Sequence, residues 1–412
     1  MSDGAREFDV IVYGATGFVG VLVARHLAGH APTGTRIALA GRSPAKLESV
    51  RSELGVDWPL VVADATDAAA LATMAARTRV VITTAGPYAK YGRLLAHACA
   101  EAGTDYVDLT GEVLFARDSI DDNHEVARRT GARIVHSCGF DSIPSDIGVH
   151  VLYEQVQADG AGELTDTTLV VTSMRGGVSG GTIDSMRNQL DVMKKDVKLR
   201  KIGASPYSLS PNRSAEPDLG RQPDMVTLPA SEVDPTLRGH LAPFVMASYN
   251  TRIVRRSNAL RGWSYGRRFR YRETMSVGTS PLSPVLAFGT KLALGGLVAG
   301  LALPPTRYVL DRILPKPGTG PNERTQRNGH FTMDIFTTTT EGARYTARFR
   351  AKGDPGYAAT AVMLGESALA LALDRDQLPP SQGGVLTPAT GIGNALVTRL
   401  RAAGMEITAR KL

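Results

Sequence analysis

Through the first 150 residues of the chain, short β-branched runs alternate with longer stretches of helical period. The strand candidates are 8–13, 36–40, 60–63, 80–84, 106–109 and 133–136; the helical stretches between them are 17–28, 44–54, 68–76, 91–102 and 123–130. The strand runs read apolar on both faces, as buried parallel strands require, and the alternation predicts helical crossovers between them. The expected fold class is therefore α/β, a doubly wound parallel sheet of the Rossmann type over residues 1–150.

After residue 150 the pattern changes. An apolar strand at 167–174 runs into a glycine-rich turn and a helix at 182–195, and 203–235, punctuated by Pro, Ser and Asn, reads as a long loop. Alternating segments at 244–254, 268–277, 331–340 and 343–351, the last two joined through Glu341-Gly342, predict antiparallel strands and a hairpin. Helices at 355–373 and 391–403 and a terminal strand at 405–409 follow. These features predict a second α/β domain with a largely antiparallel sheet at 151–384, inserted to hold substrate, and a return of 385–412 to the first domain. From 285 to 303 the chain is uncharged except for Lys291 and carries four glycines between flanking prolines. Its uninterrupted apolar part, 292–303, is shorter than a bilayer crossing requires. It reads as a buried helix or an apolar lid, with contact to a membrane or a lipid tail as the alternative.

Composition narrows the class. With 43% hydrophobic and 21% charged residues, wholesale disorder, a multi-pass membrane protein and a coiled coil are excluded. The two cysteines, Cys99 and Cys138, cannot build a disulfide framework or a cysteine zinc site, and the first residues lack an apolar signal segment. A cytoplasmic protein is expected. The net charge of +7 is concentrated, because eight arginines fall between Arg252 and Arg272, interleaved with Trp263, Tyr265, Phe269 and Tyr271. That run reads either as a solvated strand face or as a dock for an acidic partner or anionic lipid; no nucleic-acid motif accompanies it.

The strongest chemical signal is Gly14-Ala15-Thr16-Gly17-Phe18-Val19-Gly20, which leaves a strand and opens a helix. Glycines so placed let the backbone turn, approach a pyrophosphate and pack the helix on the sheet, while the helix N-terminus meets the negative charge. At the end of the second strand Arg42 and Ser43 suit a 2′-phosphate, where an NAD-specific domain would place an acid, so NADPH is the expected cofactor. Asp64 and Ala65 after the third strand are placed for the adenine edge. Thr84, Ala85, Gly86 and Pro87 after the fourth are placed for the ribose and nicotinamide, with Tyr88 as proton donor or oxygen ligand. The sixth strand opens a polar cluster in which Cys138 belongs with the cofactor site, and Asp141 and Ser142 are positioning or relay candidates. Ser142, Ser145 and Asp146 could equally be helix N-caps. Gly177-Val178-Ser179-Gly180-Gly181 fits a hydrolase elbow, but His240 and His330 alone are available downstream for a triad. Ser179 and Gly180 are better read as contacts to a substrate oxygen. His26 and His30 lie four apart without a third ligand, so no metal is expected.

The segments GATGFVG, AGRS, GPYAKYG, YVDLTGE and CGFDSIPSD together resemble the saccharopine dehydrogenase-like oxidoreductases, and within them the trans-acting enoyl reductases of mycobacterial polyketide-lipid synthesis. The similarity continues through SGGTIDSM, NTRIVRRSNAL, YGRRFRYRETMS, PKPGTGP and GVLTPA, nearly the whole chain. The resemblance implies a nicotinamide-binding first domain, an inserted α/β domain and a C-terminal return. It also implies reduction of a carbon–carbon double bond in a polyketide or fatty acyl chain on an acyl carrier protein, for a phthiocerol-type or related glycolipid. The polyketide synthase partner would lack a working enoyl reductase of its own. A homodimer and peripheral contact with the inner face of the plasma membrane are further expectations. No set of groups for an amino-dicarboxylate is assembled, so saccharopine is not the expected substrate. An NADPH-binding scaffold without turnover, or a reductase of carbonyl or imine substrates, are the alternatives.

Overall fold

The computed structural model describes residues 6–176, 180–314, 320 and 322–412. Six strands of the N-terminal part are β1 (Phe8–Tyr13), β2 (Ile37–Gly41), β3 (Leu60–Val62), β4 (Thr78–Thr83), β5 (Asp105–Val107) and β6 (Arg133–Val135). In β1 all six residues are buried because both faces of the sheet are covered. Val10 and Val12 pack with Val23, Leu27 and Leu364, whereas Ile11 and Tyr13 pack with Leu71, Leu95 and Ile120. Successive side chains of a strand point to opposite faces, so an unbroken apolar run needs a helix layer on each side.

The remaining strands are β7 (Leu164–Arg175), β8 (Leu228–Pro229), β9 (His240–Pro243), β10 (Arg270–Ser276), β11 (His330–Thr339), β12 (Arg344–Lys352), β13 (Gly384–Leu386) and β14 (Glu406–Lys411). The first sheet runs β13-β6-β5-β4-β1-β2-β3 with parallel pairing throughout. The second runs β14-β12-β11-β7-β10-β9-β8, antiparallel except between β7 and β10. The chain is thus α/β, a doubly wound parallel sheet joined to a largely antiparallel one. One continuous apolar core takes residues from both sheets, and helix Ile143–Ala158 lies buried between them. Asp146 on that helix accepts from Ser257 and from the Ala389 amide, so it bridges three segments and does not cap its own helix.

Three expectations are corrected here. The segment 244–254, read as a strand, enters helix Ala247–Leu260, which is buried on nearly every side, polar residues included. Its arginines are not a solvated face. Arg252 pairs with Asp224 at 2.8 Å, Arg255 donates to the carbonyls of Pro206 and Tyr271, and Arg256 donates to those of Leu209 and Val385. Burial pushes Arg256 down to about 9 and Arg255 to about 10. These guanidinium groups hold the loop after residue 203 onto the fold. Second, the apolar stretch 285–303 is not a core element, because helix Ser283–Ala302 buries only Ser283, Ala287 and Leu301. Third, the tail divides between the sheets: β13 pairs with β6, whereas β14 pairs with β12 of the second sheet.

Candidate active site

At the end of β1 the chain turns with Gly14 at φ +81°, a conformation costly for any residue with a Cβ. A Cβ on Gly14 would lie 2.9 Å from the Thr84 hydroxyl, and one on Gly20 would lie 2.2 Å from the Gly14 carbonyl. The turn is pinned by the Gly14 amide on the Ala40 carbonyl at 2.9 Å and by the Thr84 hydroxyl, which donates to the Gly14 carbonyl at 3.1 Å. Helix Phe18–His30 then begins at Gly17 with no side chain capping it. Its first-turn amides lack acceptors within the helix, which makes an anion site where the sheet crevice opens.

A cavity of about 930 Å³ starts at this turn. Its first end is lined by Gly14, Thr16, Gly17, Phe18, Val19, Arg42, Asp64, Ala65, Thr84, Ala85, Gly86, Pro87, Tyr88 and Asp141. Arg42 is exposed at the tip of β2 and makes no hydrogen bond or ion pair among the described residues. Asp64 accepts from the hydroxyl and amide of Thr66, which hold its carboxyl below the usual range. Beside it the Tyr13 hydroxyl donates to the Ala63 carbonyl, and burial pushes Tyr13 up to about 12.

Asp141 reaches the cavity from the turn after β6. Protein packs around its carboxyl, with Gly111 close to Oδ2, and desolvation alone pushes it up to about 6. No hydrogen bond to it is formed among the described residues. The Tyr88 hydroxyl, expected to give a proton, donates to the Thr83 carbonyl at 3.1 Å and accepts the Leu109 amide. Its ring packs beside Phe115, with centroids 5.7 Å apart, and burial raises its pKa well above the ordinary value. Tyr88 therefore builds the floor of the cavity, and its proton is already engaged.

Six of the expected site residues are held off the cavity wall. Ala15 and Cys138 are fully buried in the core, and Gly20 lies one turn behind the opening amides. Ser43 sits at the start of helix Pro44–Leu54. Ser142 points the opposite way from Asp141, donating to Asn250, which in turn donates to Glu273. The Gly180 amide donates to the Tyr357 hydroxyl at 3.2 Å, so Gly180 braces the wall while Gly181 lines it. Ser179 lies outside the described residues.

The other end takes part of its wall from the apolar stretch 292–303, expected to cover an acyl chain, but its methionines were not foreseen. Met174, Met186, Met193, Met225 and Met246, five of the chain's 11 methionines, line it with Leu190, Leu294, Leu297 and Val298. A flexible thioether wall adapts to an apolar guest of variable shape. Glu112 joins the two ends: it accepts the amides of Tyr88 and Ala89 at 2.9 and 3.0 Å and the Ser185 hydroxyl at 2.7 Å. That carboxylate ties the loop after β4 to helix Gly180–Lys195.

Residues 10–135 match the saccharopine dehydrogenase NADP binding domain. The chain is 50% identical to the trans-acting enoyl reductase of Mycobacterium tuberculosis over 424 residues, covering all of both proteins. The chain belongs to the trans-acting enoyl reductase family. Identity to the Mycobacterium ulcerans member is likewise 50%, over 421 residues and the whole of each chain. The saccharopine dehydrogenase (L-Glu forming) of Saccharomyces cerevisiae superposes with a TM-score of 0.55 at 12% identity, covering 98% of this chain and 99% of that one, a likeness of fold alone. In this enoyl reductase family member the NADP(H) domain is the first sheet. The glycine cradle, the uncapped helix start and the unpaired Arg42 fit a phosphorylated dinucleotide.

Proposed function

We propose that the protein reduces the α,β double bond of a long acyl thioester with NADPH, in trans to a polyketide synthase that makes lipid. The observation that carries this reading is the continuity of one cavity from the glycine turn, past the Asp141 carboxyl, to a chamber walled by methionine and leucine. When bound, NADPH supplies a hydride to the β-carbon. Negative charge then builds on the thioester oxygen, and the N-terminal end of helix Gly180–Lys195, on the wall at Gly181, is placed to stabilise it. Asp141, held near pKa 6 by burial, gives its proton to the α-carbon and regains one from water. The apolar chamber aligns the acyl chain and excludes water from the reacting carbons. Of the arginine run, Arg267 and Arg268, exposed like Arg270, are left to receive an acidic carrier protein.

Transfer of label from deuterated NADPH tests the reading. Deuterium on the carbon β to the carbonyl is expected. Label on a carbinol or amine carbon would assign a carbonyl or imine reductase, and no transfer at all would leave a dinucleotide-binding scaffold.

A further inference from the structure

Helix Ser283–Ala302 turns an inner stripe to the protein, where Ser283, Ala287 and Leu301 are buried and Leu294 and Leu297 line the cavity. Its outer side holds Val285, Leu286, Phe288, Leu292 and Val298, with Val285 69% and Leu292 60% exposed. The one charged residue of the helix, Lys291, is half-buried. A helix facing water carries polar residues on its outer side; this one carries none over five turns. Helix Pro304–Ile313 doubles back on it, with the Thr306 hydroxyl donating to the Gly300 carbonyl at 2.7 Å, and adds exposed Tyr308, Val309 and Ile313.

Beside this apolar hairpin lies a basic cluster. Arg307 of the hairpin pairs with Asp191 at 2.7 Å, one turn before Lys194 and Lys195. Lys198, Arg200 and Lys201 follow on helix Val197–Ala204, and all five cations are exposed. We infer that the hairpin docks on an anionic lipid bilayer, its apolar side sunk among the acyl chains and the Lys194–Lys201 cluster on the headgroups. Apolar area and cationic flank together give the pairing that interfacial helices use. The helix cannot cross the bilayer. β10 before it and β11 after it both pair with β7, so the chain must come back to the side it left, and the ten residues of Pro304–Ile313 are too few for a second crossing. A second copy of this chain fits the face less well, since the hairpin sequence carries one acid, Asp311, against the partner's five cations. With the cavity on the inner side of the same helix, the docked surface opens the acyl chamber toward lipid.

The test is co-sedimentation of the full-length protein with vesicles of equimolar phosphatidylglycerol and phosphatidylcholine, and with phosphatidylcholine alone. Binding to the anionic vesicles is expected to be at least about tenfold tighter than to the neutral ones, and to weaken with salt. The joint substitutions Phe288→Glu and Leu292→Glu, and separately Lys198→Gln, Arg200→Gln and Lys201→Gln, should each weaken it at least about tenfold. Because these side chains are exposed, the melting temperature should not move. Phe288→Trp should be quenched by acyl-brominated lipid, which reports insertion and not mere adsorption. The inference is overturned if the wild-type protein ignores anionic vesicles, if all variants bind alike, or if Phe288→Glu with Leu292→Glu instead dissolves a dimer that never bound lipid. Vesicle binding is read without turnover, so its failure would leave the hydride-transfer reading standing.

Discussion

The two ends of the cavity are built by different means. The dinucleotide end is made of backbone: a turn at Gly14, helix amides after Gly17 and the loop after β4, each fixed by hydrogen bonds to neighbouring strands. The acyl end is made of side chains drawn from helices Gly180–Lys195, Ala247–Leu260 and Ser283–Ala302 and the loops between them. The contrast teaches where each end tolerates change. Backbone cannot move aside for one added carbon, whereas methionine side chains can. Asp141 stands at the join, and Glu112 fixes the distance between the halves.

The largest effect should follow Gly20→Ala, because the new methyl would stand 2.2 Å from the Gly14 carbonyl with only backbone to yield. We expect NADPH affinity to fall by roughly 100-fold or more, a few kcal/mol of displaced turn, measured by fluorescence titration. Unchanged affinity would mean that the turn is not the pyrophosphate cradle, and the contrast between rigid and adaptable ends would fail.

Asp141→Asn should come next, lowering kcat by about 100-fold, the usual worth of a placed acid. In the unaltered enzyme, activity should fall as pH rises through about 6, where Asp141 loses its proton; the variant's residual activity should lack that limb. Stability moves with pH in the same direction as activity. A carboxyl whose pKa is raised on folding, from 3.8 to about 6, holds its proton more tightly in the folded state. Native stability is therefore lost as pH climbs from about 4 to above 6, on the order of 2 kcal/mol after allowance for solvent screening. Asp141→Asn should raise the melting temperature at pH 8 and leave it nearly unchanged at pH 4. A variant no more stable at pH 8, with turnover intact, would remove Asp141 from the reaction.

The same division governs what the sequence could show. The glycine turn was legible because its requirement is local: residues 14–20 state the geometry without help from the rest of the chain. Helices Pro44–Leu54 and Ala68–Ala76 begin and end as their apolar period indicates. Helix Ala247–Leu260 was misread because Asn250, Arg252, Arg255, Arg256 and Asn258 are buried on partners such as Asp224, Leu209 and Gly266, all distant in sequence or set in loops. Nothing local marks these polar residues as buried, because the groups that satisfy them come from elsewhere in the fold. Helices Thr360–Leu373 and Ser283–Ala302 are both apolar, yet the first is almost wholly buried and the second lies open; which one finds a cover is decided by tertiary contacts. Cys138 and Ser142 were placed at the site by their neighbourhood along the chain, but the turn after β6 presents Gly139, Phe140 and Asp141 to the cavity and neither of those two. Met186 and Met193 carried no signal at all, since a methionine in a pocket wall and one in a core read alike, whereas Leu294 lies in the apolar stretch 292–303 read as a lid.

The central claim is that an acyl chain lies in the methionine-lined chamber while its double bond meets the dinucleotide end. Photo-crosslinking tests it most directly, using the unaltered protein with NADPH and a long acyl thioester that bears a diazirine near its tail. The account predicts label on Met186, Leu190, Met193, Leu294 or Leu297, suppressed by excess unlabelled thioester. Label confined to residues outside this cavity, with turnover proceeding, would contradict it.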